Sequence, residues 1–336
     1  MTSELDAFLE RTRLAAPGAC AKWIPLAGGV SSDIWRVELP DRTFCVKRAL
    51  GRLKVQADWY APVSRNAYEW AWLKFAATHA PDAVPAPIAH DPELGMFAME
   101  YLDPERHPNW KRLLLDGIVD VDAAAAVGSR LATLHATSAK DASLERAFDT
   151  LPLFHALRLE PYLLATARKH PDLAARLGEL AERTGAARIV LVHGDVSPKN
   201  ILLGPRGPVF LDAECAWFGD PAFDAAFCLN HFLLKCLARP VARDAYLQCF
   251  SRFARAYLAG AAWEPRSALE SRTAALLPAL FLARVDGKSP VEYIRDEGAK
   301  SLVRETARPL IASPVSSLDE IAVRWRAALA SVAESL

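Results

Sequence analysis

Alternating apolar and polar residues predict β-strands in the first third of the chain. Residues 34–39 (Ile-Trp-Arg-Val-Glu-Leu) alternate in the manner of a strand with one buried face. The turn-forming residues 40–42 follow, and residues 44–47 (Phe-Cys-Val-Lys) return as a second strand. A further strand is predicted to end within residues 97–102, after the helix-breaking segment 85–87. We therefore expect a small sheet in this part of the chain.

The periodicity between these strands is that of a helix. In residues 64–78, Tyr68, Trp72 and Phe75 recur at i, i+4 and i+7, which is the spacing of a buried helical stripe. We therefore expect one amphipathic helix, packed through these three aromatic residues.

Beyond the sheet the pattern becomes mainly helical. Pro104 and Pro108 interrupt the chain after the last predicted strand of the first third. We place a lobe boundary there, so that residues 1–102 form an N-terminal lobe that binds nucleotide. Residues 103–336 then form a helical lobe that carries the catalytic and substrate-binding groups.

One sheet-like stretch interrupts the helical lobe. Residues 189–192 (Ile-Val-Leu-Val) predict a short strand directly before His-Gly-Asp at 193–195. Residues 200–203 and 208–211 flank a Gly-Pro-Arg-Gly turn and are predicted to pair as a hairpin, with Asp212 at its exit. Polar side chains thus follow strand ends, where a rigid scaffold can position them.

Composition narrows the classes of function. A chain of 336 residues is long enough for two lobes. Its 40 Lys and Arg balance 40 Asp and Glu, so it lacks the basic excess of nucleic-acid-binding proteins, and no nucleic-acid partner is expected. The six cysteines form no Cys-x-x-Cys pair, which argues against a structural zinc or disulfide framework and favours a reducing, cytoplasmic environment.

No membrane partner is expected either. Residues 1–6 are acidic and lack the basic and apolar regions of a signal peptide. The longest apolar runs, such as residues 274–283, are about half as long as the roughly 20 residues that a membrane span requires. We therefore predict a soluble protein, either a monomer or a homodimer.

The strongest chemical pattern is His193-Gly194-Asp195, followed by Asn200 and then by Asp212-Ala213-Glu214. Phosphoryl transfer to a hydroxyl requires a carboxylate that orients and deprotonates the nucleophile, and oxygen ligands that hold Mg²⁺ against the phosphates. Asp195 can act as the base, while Asn200 and Asp212 can bind the metal. The order of these residues matches the catalytic loop and the metal-binding aspartate of protein kinases.

This pattern resembles the aminoglycoside phosphotransferase and choline kinase superfamily. Asp212-x-Glu214, followed by residues 216–219 and by Phe223-Asp224, is most similar within it to methylthioribose kinase. The resemblance covers about residues 23–309. It implies an α+β, two-lobed protein-kinase-like fold, with an antiparallel N-terminal sheet, one key helix and a larger helical lobe. It also implies ATP and Mg²⁺ as cofactors, Glu214 as a further metal ligand, and a small-molecule hydroxyl acceptor.

Two residues of the pattern are assigned structural roles. His193 is expected to bond backbone groups and so to shape the catalytic loop. Asp224 is expected to be a buried carboxylate that braces the same loop.

A glycine-containing segment, residues 26–35, lies just before the first strand. Glycines allow a backbone to approach phosphate oxygens, and successive N–H groups can bind an anion. The segment is not a Walker A loop, because no Gly-Lys-Ser/Thr ends it. On its own, this segment would be interpreted as an ordinary turn. Because the catalytic loop follows downstream, we predict that Gly29, Val30, Ser31 and Ser32 contact the phosphates.

Lys47 lies at the end of an apolar strand, where a buried ammonium requires an anion. The ATP phosphates would supply one and Glu69, at the border of the predicted helical stripe, another; kinases use such a pair. Arg48 and Lys54 are rivals for the role of this lysine. The alternative interpretation is a solvated lysine and an exposed glutamate.

Ligand contacts are assigned to five further residues. Glu100 and Leu102 lie where kinases place the hinge, whose backbone would bind adenine. Arg284 resembles the arginine of the segment with which methylthioribose kinases hold their sugar, although the paired arginine of that family is missing. Arg158 and Trp217 are further candidates for substrate contact. A surface ion pair is the alternative for each arginine, and a place in the core for the tryptophan.

The sequence thus predicts an ATP-dependent kinase for a sugar or a sugar-like metabolite. An aminoglycoside or a choline-like amine is the alternative acceptor, but such cations require an acidic pocket and the helical lobe shows no surplus of acids. Protein-kinase activity is less favoured, because His193-Gly194-Asp195 lacks the usual arginine and no Ala-Pro-Glu follows Asp212. A non-catalytic nucleotide-binding pseudokinase is less favoured because the chain retains Lys47, Asp195, Asn200 and Asp212.

Overall fold

The computed structural model describes residues 4–26, 31–52, 62–139 and 141–333. Gly29, Val30 and Lys54, which have candidate roles in phosphate binding, lie outside the described residues. Their predicted contacts therefore stay predictions.

The N-terminal lobe is built on a five-stranded antiparallel sheet. Its strands, in the spatial order β1-β2-β3-β5-β4, are β1 (Lys22–Pro25), β2 (Ser32–Glu38), β3 (Thr43–Ala49), β4 (Pro87–Asp91) and β5 (Met96–Glu100). The predicted β2–β3 hairpin is confirmed, with Val37 opposite Phe44 next to the turn. The strand predicted to end within residues 97–102 is also present, and it ends at Glu100.

Two helices cover the two faces of this sheet, α1 (Glu4–Arg11) and α2 (Arg65–His79). On one face, Val46 packs into a small core with Phe8 of α1. On the other face, Phe97 packs into the main core together with Trp72 of α2. Because successive side chains of a strand point to opposite faces, Lys47 lies on the α2 side of the sheet.

The buried stripe of α2 differs from the predicted one. Trp72 is buried, but Tyr68 and Phe75 are only half-buried at the edge of the stripe. The buried positions of the helix are Arg65, Asn66, Glu69, Trp72, Leu73 and Ala76. The prediction followed the aromatic residues, whereas the helix turns Glu69 inward because its carboxylate pairs with Lys47.

The remainder of the described chain is mainly helical, which confirms the predicted α+β class. Its α-helices are α3 (Trp110–Asp116), α4 (Val121–Ser138), α5 (Ala142–Ala147), α6 (Leu151–Phe154), α7 (Ala165–Lys169), α8 (Ala174–Ala186), α9 (Pro221–Ala238), α10 (Arg243–Gly260), α11 (Arg266–Asp286), α12 (Glu297–Ala312) and α13 (Leu318–Ala333). α9 lies at the centre, and every residue from Pro221 to Cys236 is buried. Within the described ranges, no helix has both the length and the apolar composition needed to cross a bilayer.

Four short strands carry the catalytic loop. They are β6 (Val190–Val192), β7 (Ile201–Gly204), β8 (Gly207–Phe210) and β9 (Trp217–Gly219). The predicted β7–β8 hairpin is confirmed, with Leu202 opposite Val209. β9 was not predicted; it pairs antiparallel with β6, and this non-local pairing leaves little trace in three residues of sequence.

A π-helix, His155–Leu164, connects α6 to α7 and contains Pro161. π-Helical turns are rare and occur frequently at functional sites. This one carries Arg158 to the catalytic loop, where its guanidinium contacts Asp195.

Candidate active site

Asp224 holds the start of the catalytic loop. This fully buried carboxylate accepts hydrogen bonds from the backbone N–H of His193 at 2.7 Å and of Gly194 at 2.8 Å. His135 of α4 lies 3.2 Å away through its Nε2. The loop is thus fixed to α9 and α4, in the arrangement expected of a bracing carboxylate.

His193 bonds the backbone on both sides of its ring. The N–H of Asp195 donates to Nδ1 at 3.1 Å, so Nε2 carries the proton and donates to the carbonyl of Leu211 at 3.1 Å. Burial lowers the pKa of His193, despite the nearby carboxylates. A neutral imidazole in this position links the catalytic loop to the exit of the β7–β8 hairpin.

Gly194 stands where protein kinases carry an arginine, and the backbone explains why. Its φ is +81°, in the left-handed region. A Cβ at this position would lie 2.5 Å from the carbonyl oxygen of Cys215, closer than real Cβ atoms approach. Only glycine fits beside this neighbouring segment without displacing it.

Asp195 is buried, and its Oδ2 is held by two cations. Arg158 Nη2 lies at 2.8 Å and Lys199 Nζ at 3.1 Å, while Oδ1 has no protein partner in the described part of the chain. Burial alone would raise the pKa of Asp195, but the charges of Arg158 and Lys199 outweigh it and hold the pKa below its usual value. The carboxylate is therefore ionised at neutral pH, with one oxygen available to a ligand.

The interpretation of Arg158 changes accordingly. The surface ion pair that was the alternative is wrong, because its guanidinium is buried against the catalytic loop, and the predicted substrate contact stays a prediction. Its Nε also donates to the carbonyl of Gly194 at 2.5 Å. Arg158 thus supplies, from the π-helix, a positive charge next to the catalytic aspartate.

Asn200 and Asp212 lie on neighbouring backbone segments, since the N–H of Leu211 donates to the carbonyl of Asn200 at 2.9 Å. Asn200 donates through Nδ2 to the backbone carbonyl of Asp195 at 3.1 Å. Asp212 has a φ of +69°, which is uncommon for a residue with a side chain and which aspartate tolerates better than most. Its Oδ1 lies 2.5 Å from Nζ of Lys47, while its Oδ2 has no protein partner among the described residues.

Lys47 joins the two lobes through two carboxylates. Its buried Nζ contacts Glu69 of α2 at 2.6 Å as well as Asp212, so the predicted lysine–glutamate pair is present. Burial opposes the charge of Lys47, but Asp212 and Glu69 raise its pKa above the ordinary value. Burial raises the pKa of Glu69 to about 7 despite Lys47. The rival Arg48 instead pairs with Asp33 on the sheet.

Arg65 is a site residue that the sequence analysis missed. This fully buried guanidinium contacts Glu214 at 2.8 Å through Nε, and Nη2 donates to the carbonyls of Ser31 and Leu50. It thus ties the segment predicted to bind phosphates to the Asp-x-Glu motif of the other lobe. The detectable signal was its spacing: Arg65 precedes Glu69 by one helical turn, on the same buried face.

The donor set fits a magnesium ion in part. Asn200 and Asp212 offer the oxygen ligands that Mg²⁺ prefers, and Asp212 retains an unpartnered oxygen. Glu214, also predicted as a ligand, has Oε2 engaged by Arg65 and only Oε1 left. No group of three or more His, Cys, Asp or Glu side chains that could hold a metal occurs in the described ranges. Nucleotide phosphates would therefore have to complete the coordination.

The remaining residues predicted to contact ATP differ in how far their polar groups are already bonded within the protein. Ser31 and Ser32 are both buried at the start of β2, and Ser32 Oγ has no partner in the described structure. The N–H of Glu100 donates to the carbonyl of Ala86. Leu102, past the strand end, makes no backbone–backbone hydrogen bond with any described residue, so its backbone groups remain available to adenine.

Of the two other substrate candidates, Trp217 is corrected and Arg284 is kept. Trp217 is fully buried and stacks on Phe154 with ring centroids 4.3 Å apart, so it fills the core and cannot contact a substrate. Arg284 is half-buried and bonds Tyr162 Oη at 3.0 Å, so it is not the surface ion pair that was the alternative.

Comparisons with known proteins agree with this geometry. The family model described as the APH phosphotransferase enzyme family matches residues 22–269. Methylthioribose kinase from Escherichia coli O45:K1 (strain S88 / ExPEC) is 28% identical over 236 residues, or 62% of this chain and 56% of that enzyme. The chain thus matches little more than half the length of this curated relative.

Solved structures share the fold. A choline/ethanolamine kinase family protein from Mesorhizobium loti has a TM-score of 0.54 at 16% identity, over 97% of this chain and 98% of that one. An amicoumacin kinase in complex with AMP-PNP and Ca²⁺ has a TM-score of 0.52 at 14% identity, over 88% and 90%. At these identities the likeness concerns the fold, which is two-lobed and protein-kinase-like as predicted. Since its model spans most of the sequence, the chain belongs to the APH phosphotransferase enzyme family.

Proposed function

We propose that this protein is an ATP-dependent kinase that transfers the γ-phosphate to a hydroxyl of a small molecule. The observation that carries the proposal is the position of Asp195. Its carboxylate is close enough to Asp212, the partner of Lys47, for their charges to interact, and an acceptor hydroxyl and a nucleotide phosphate would meet between these groups. The amicoumacin kinase of the same fold, which was solved with the ATP analogue AMP-PNP, supports nucleotide binding at such a site.

The reaction follows from the charges of these residues. Lys47 binds the α- and β-phosphates of ATP, and the backbone at Leu102 binds adenine. Asn200 and Asp212 would hold Mg²⁺, which would neutralise charge on the phosphates. Asp195 accepts a hydrogen bond from the acceptor hydroxyl through Oδ1. The hydroxyl oxygen forms a bond to the γ-phosphorus, the bond to the β–γ bridging oxygen breaks, ADP leaves, and the hydroxyl proton passes to Asp195.

The low pKa of Asp195 defines its share in catalysis. Because Arg158 and Lys199 stabilise the carboxylate, it is a weak base but stays ionised across neutral pH. It therefore acts first by orienting the hydroxyl for in-line attack, and it takes the proton late, as the new bond forms. Orientation of this kind accounts for much of the catalysis of phosphoryl transfer.

For the acceptor, we propose a sugar or a sugar-like metabolite, as the name of the methylthioribose kinase relative suggests. An amino alcohol or an aminoglycoside is less well supported. Cationic acceptors require acidic side chains, whereas the carboxylate of Asp195 is already bound by Arg158 and Lys199.

Acceptor-stimulated ADP release tests the proposal. A panel of sugars, nucleoside-derived pentoses, amino alcohols and aminoglycosides is assayed with ATP and Mg²⁺. Asp195→Asn should lower the rate by roughly 10²–10⁴, the usual contribution of a positioned general base. Asp172→Asn, an exposed aspartate in the same lobe, should turn over normally. Undiminished turnover in Asp195→Asn would remove the proposed mechanism.

A further inference from the structure

Lys235 of α9 is a buried lysine without a counter-charge in contact. Its side chain is fully buried, and Nζ has no hydrogen-bond partner in the described part of the chain. The ring of Tyr293 lies 5.2 Å from Nζ. Burial, and then the charge of Lys111, lower the pKa of Lys235 to about 7. A buried ammonium without hydrogen bonds destabilises a fold, whereas an apolar side chain would fill the same space without that cost.

Arg284 of α11 contributes a second incompletely bonded cation. Its Nη1 donates to Tyr162 Oη at 3.0 Å and to the carbonyl of Ser289 at 2.5 Å. Its buried Nε has no partner among the described residues. The positive charge of Arg284 also reaches Lys235, whose pKa it helps to lower. Each of these two cations thus retains a buried donor atom without a partner among the described residues, and their charges are close enough to interact.

Positive charge is in excess around these two residues. Burial of His231 and the charges of four neighbouring cations all lower the pKa of its imidazole; the four are Lys235, Arg284, Lys199 and Lys111. We call these five residues the cationic group. The carboxylates that approach it are already paired, Glu292 with Lys111 and Asp195 with both Arg158 and Lys199.

The cationic group is connected to Asp195 through neighbouring side chains. Arg158, which binds Asp195, lies with its guanidinium carbon 5.8 Å from the centre of the Phe227 ring. The rings of Phe227 and His231 are 5.9 Å apart, so a single aromatic side chain separates the two sites. Lys199 is a member of the cationic group and also contacts Asp195, since its Nζ is 3.1 Å from that carboxylate.

We propose that the acceptor of this kinase carries an anionic group, a carboxylate or a phosphate, which binds to Lys235 and Arg284 while its hydroxyl lies at Asp195. This inference rests on the proposed function and narrows its acceptor to hydroxy acids or sugar phosphates. It also explains why a lysine is kept inside α9: the acceptor supplies the missing counter-charge.

Tyr293 covers this subsite. Its ring lies over Nζ of Lys235, and its Oη is 3.4 Å from Nδ1 of His231. The surrounding segment, residues 287–296, has no helix or strand. It is held by the exposed ion pair between Lys111 and Glu292 and by hydrogen bonds that Ser289 and Val291 make with Arg284. For an anionic group to reach Nζ of Lys235, the Tyr293 ring that lies over it would have to move.

Matched acceptor pairs test the inference. Ribose is compared with ribose 5-phosphate, and glycerol with glycerate, so that phosphate and carboxylate are tested separately against neutral parents. Wild-type protein should show a kcat/KM for at least one anionic member that exceeds that of its parent by about tenfold or more, since charge-assisted hydrogen bonds contribute at this scale. An equal or greater preference for the neutral members, or for amines, would overturn the inference and leave the kinase assignment standing.

Lys235→Met separates recognition from structure. Methionine has a similar length without the charge, and the variant should raise the KM for the anionic acceptor about tenfold to a hundredfold. If the role of Lys235 were purely structural, the variant would instead lose thermal stability, and its kcat would fall equally for every acceptor. Lys169→Met, at an exposed position of α7, is the matched control and should behave as wild type.

Binding of inorganic phosphate provides a readout that does not depend on turnover. AMP-PNP is first added in excess to occupy the nucleotide site, and Tm is then measured with increasing phosphate. Wild-type Tm should rise with phosphate, and Lys235→Met should lose this response. An equal response in both proteins would overturn the anionic subsite. Failure of AMP-PNP itself to raise Tm would count against the proposed kinase function, so the two failures are distinguishable.

Discussion

Arg65 donates a hydrogen bond from Nε to Oε2 of Glu214 across 2.8 Å, with both side chains buried between the lobes. The same guanidinium bonds the carbonyls of Ser31 and Leu50. One side chain of α2 therefore connects the start of β2, the end of β3 and the Asp-x-Glu motif. This connection fixes how the N-terminal lobe faces the residues proposed to bind the metal.

Removal of Arg65 should destabilise the protein strongly. Arg65→Met leaves the buried carboxylate of Glu214 without its partner, and breaking one half of a buried pair costs on the order of 3–5 kcal/mol. Urea unfolding measures the loss. Arg112→Met, at a highly exposed site on α3, should change the unfolding free energy by less than about 1 kcal/mol. A loss that small in Arg65→Met would mean that the pair does not hold the lobes together.

The contacts of Lys47 and of Arg65 show how much of this site could be predicted from the sequence. Lys47 and Glu69 could be paired from sequence because a strand-end lysine and a helix glutamate form a known kinase pattern. Arg65 could not be placed in the same way, because its partner Glu214 lies 149 positions away and no local periodicity couples them. Trp217 shows the converse, because its motif position suggested ligand contact, whereas its place in β9 and its stacking on Phe154 bury it in the core.

Arg158→Met should shift the pH dependence of catalysis. In the wild type, Arg158 and Lys199 hold the pKa of Asp195 down against the effect of burial. Without Arg158 the effect of burial grows relative to the remaining charge, and the pKa of Asp195 rises. Because only the ionised form is active, the variant should lose activity at a higher pH than the wild type as the solution is acidified. The acid limb of kcat/KM should therefore move to higher pH by about one unit or more. Arg168→Met, an exposed arginine further along the same helical run, is the control for this profile.

An unchanged acid limb in Arg158→Met would show that Asp195 does not titrate in the profile. A loss of kcat that is equal at every pH would point to the same conclusion. In either case Arg158 would act through the shape of the loop, by its bond to the carbonyl of Gly194, rather than through charge.

Gly194→Ala should misplace the catalytic aspartate. The new methyl group would lie 2.5 Å from the carbonyl oxygen of Cys215, in a residue whose φ is +81°. Relief requires movement of the loop, so we expect a loss of about 1–3 kcal/mol of stability together with a lower kcat. Gly178→Ala, within α8 and with no atom near its added Cβ, should instead stabilise the protein by about 0.5–1 kcal/mol. Equal effects of the two substitutions would contradict the close approach to Cys215.

Lys235 should impose a pH dependence on stability whose sign can be worked out. The pKa of Lys235 is about 7 in the folded protein, against 10.5 ordinarily, because of burial and of the charge of Lys111. Glu292 and Cys228 offset part of this effect, and Arg284 adds to it. Between these two pKa values the unfolded chain binds a proton that the folded protein has released. Wild-type stability should therefore rise with pH across this window, by up to on the order of 5 kcal/mol.

Lys235→Met isolates this contribution, because every other titrating group is shared with the wild type. Below about pH 7 the lysine is charged in both states, so the variant should exceed wild type in unfolding free energy by the largest margin. That margin should shrink as the pH rises toward about 10, where the folded lysine is neutral. Urea unfolding at about pH 6 and about pH 9 measures the difference. A difference in unfolding free energy that does not change with pH would show that the ammonium of Lys235 is already compensated within the fold. It would then count against an anionic ligand at Lys235.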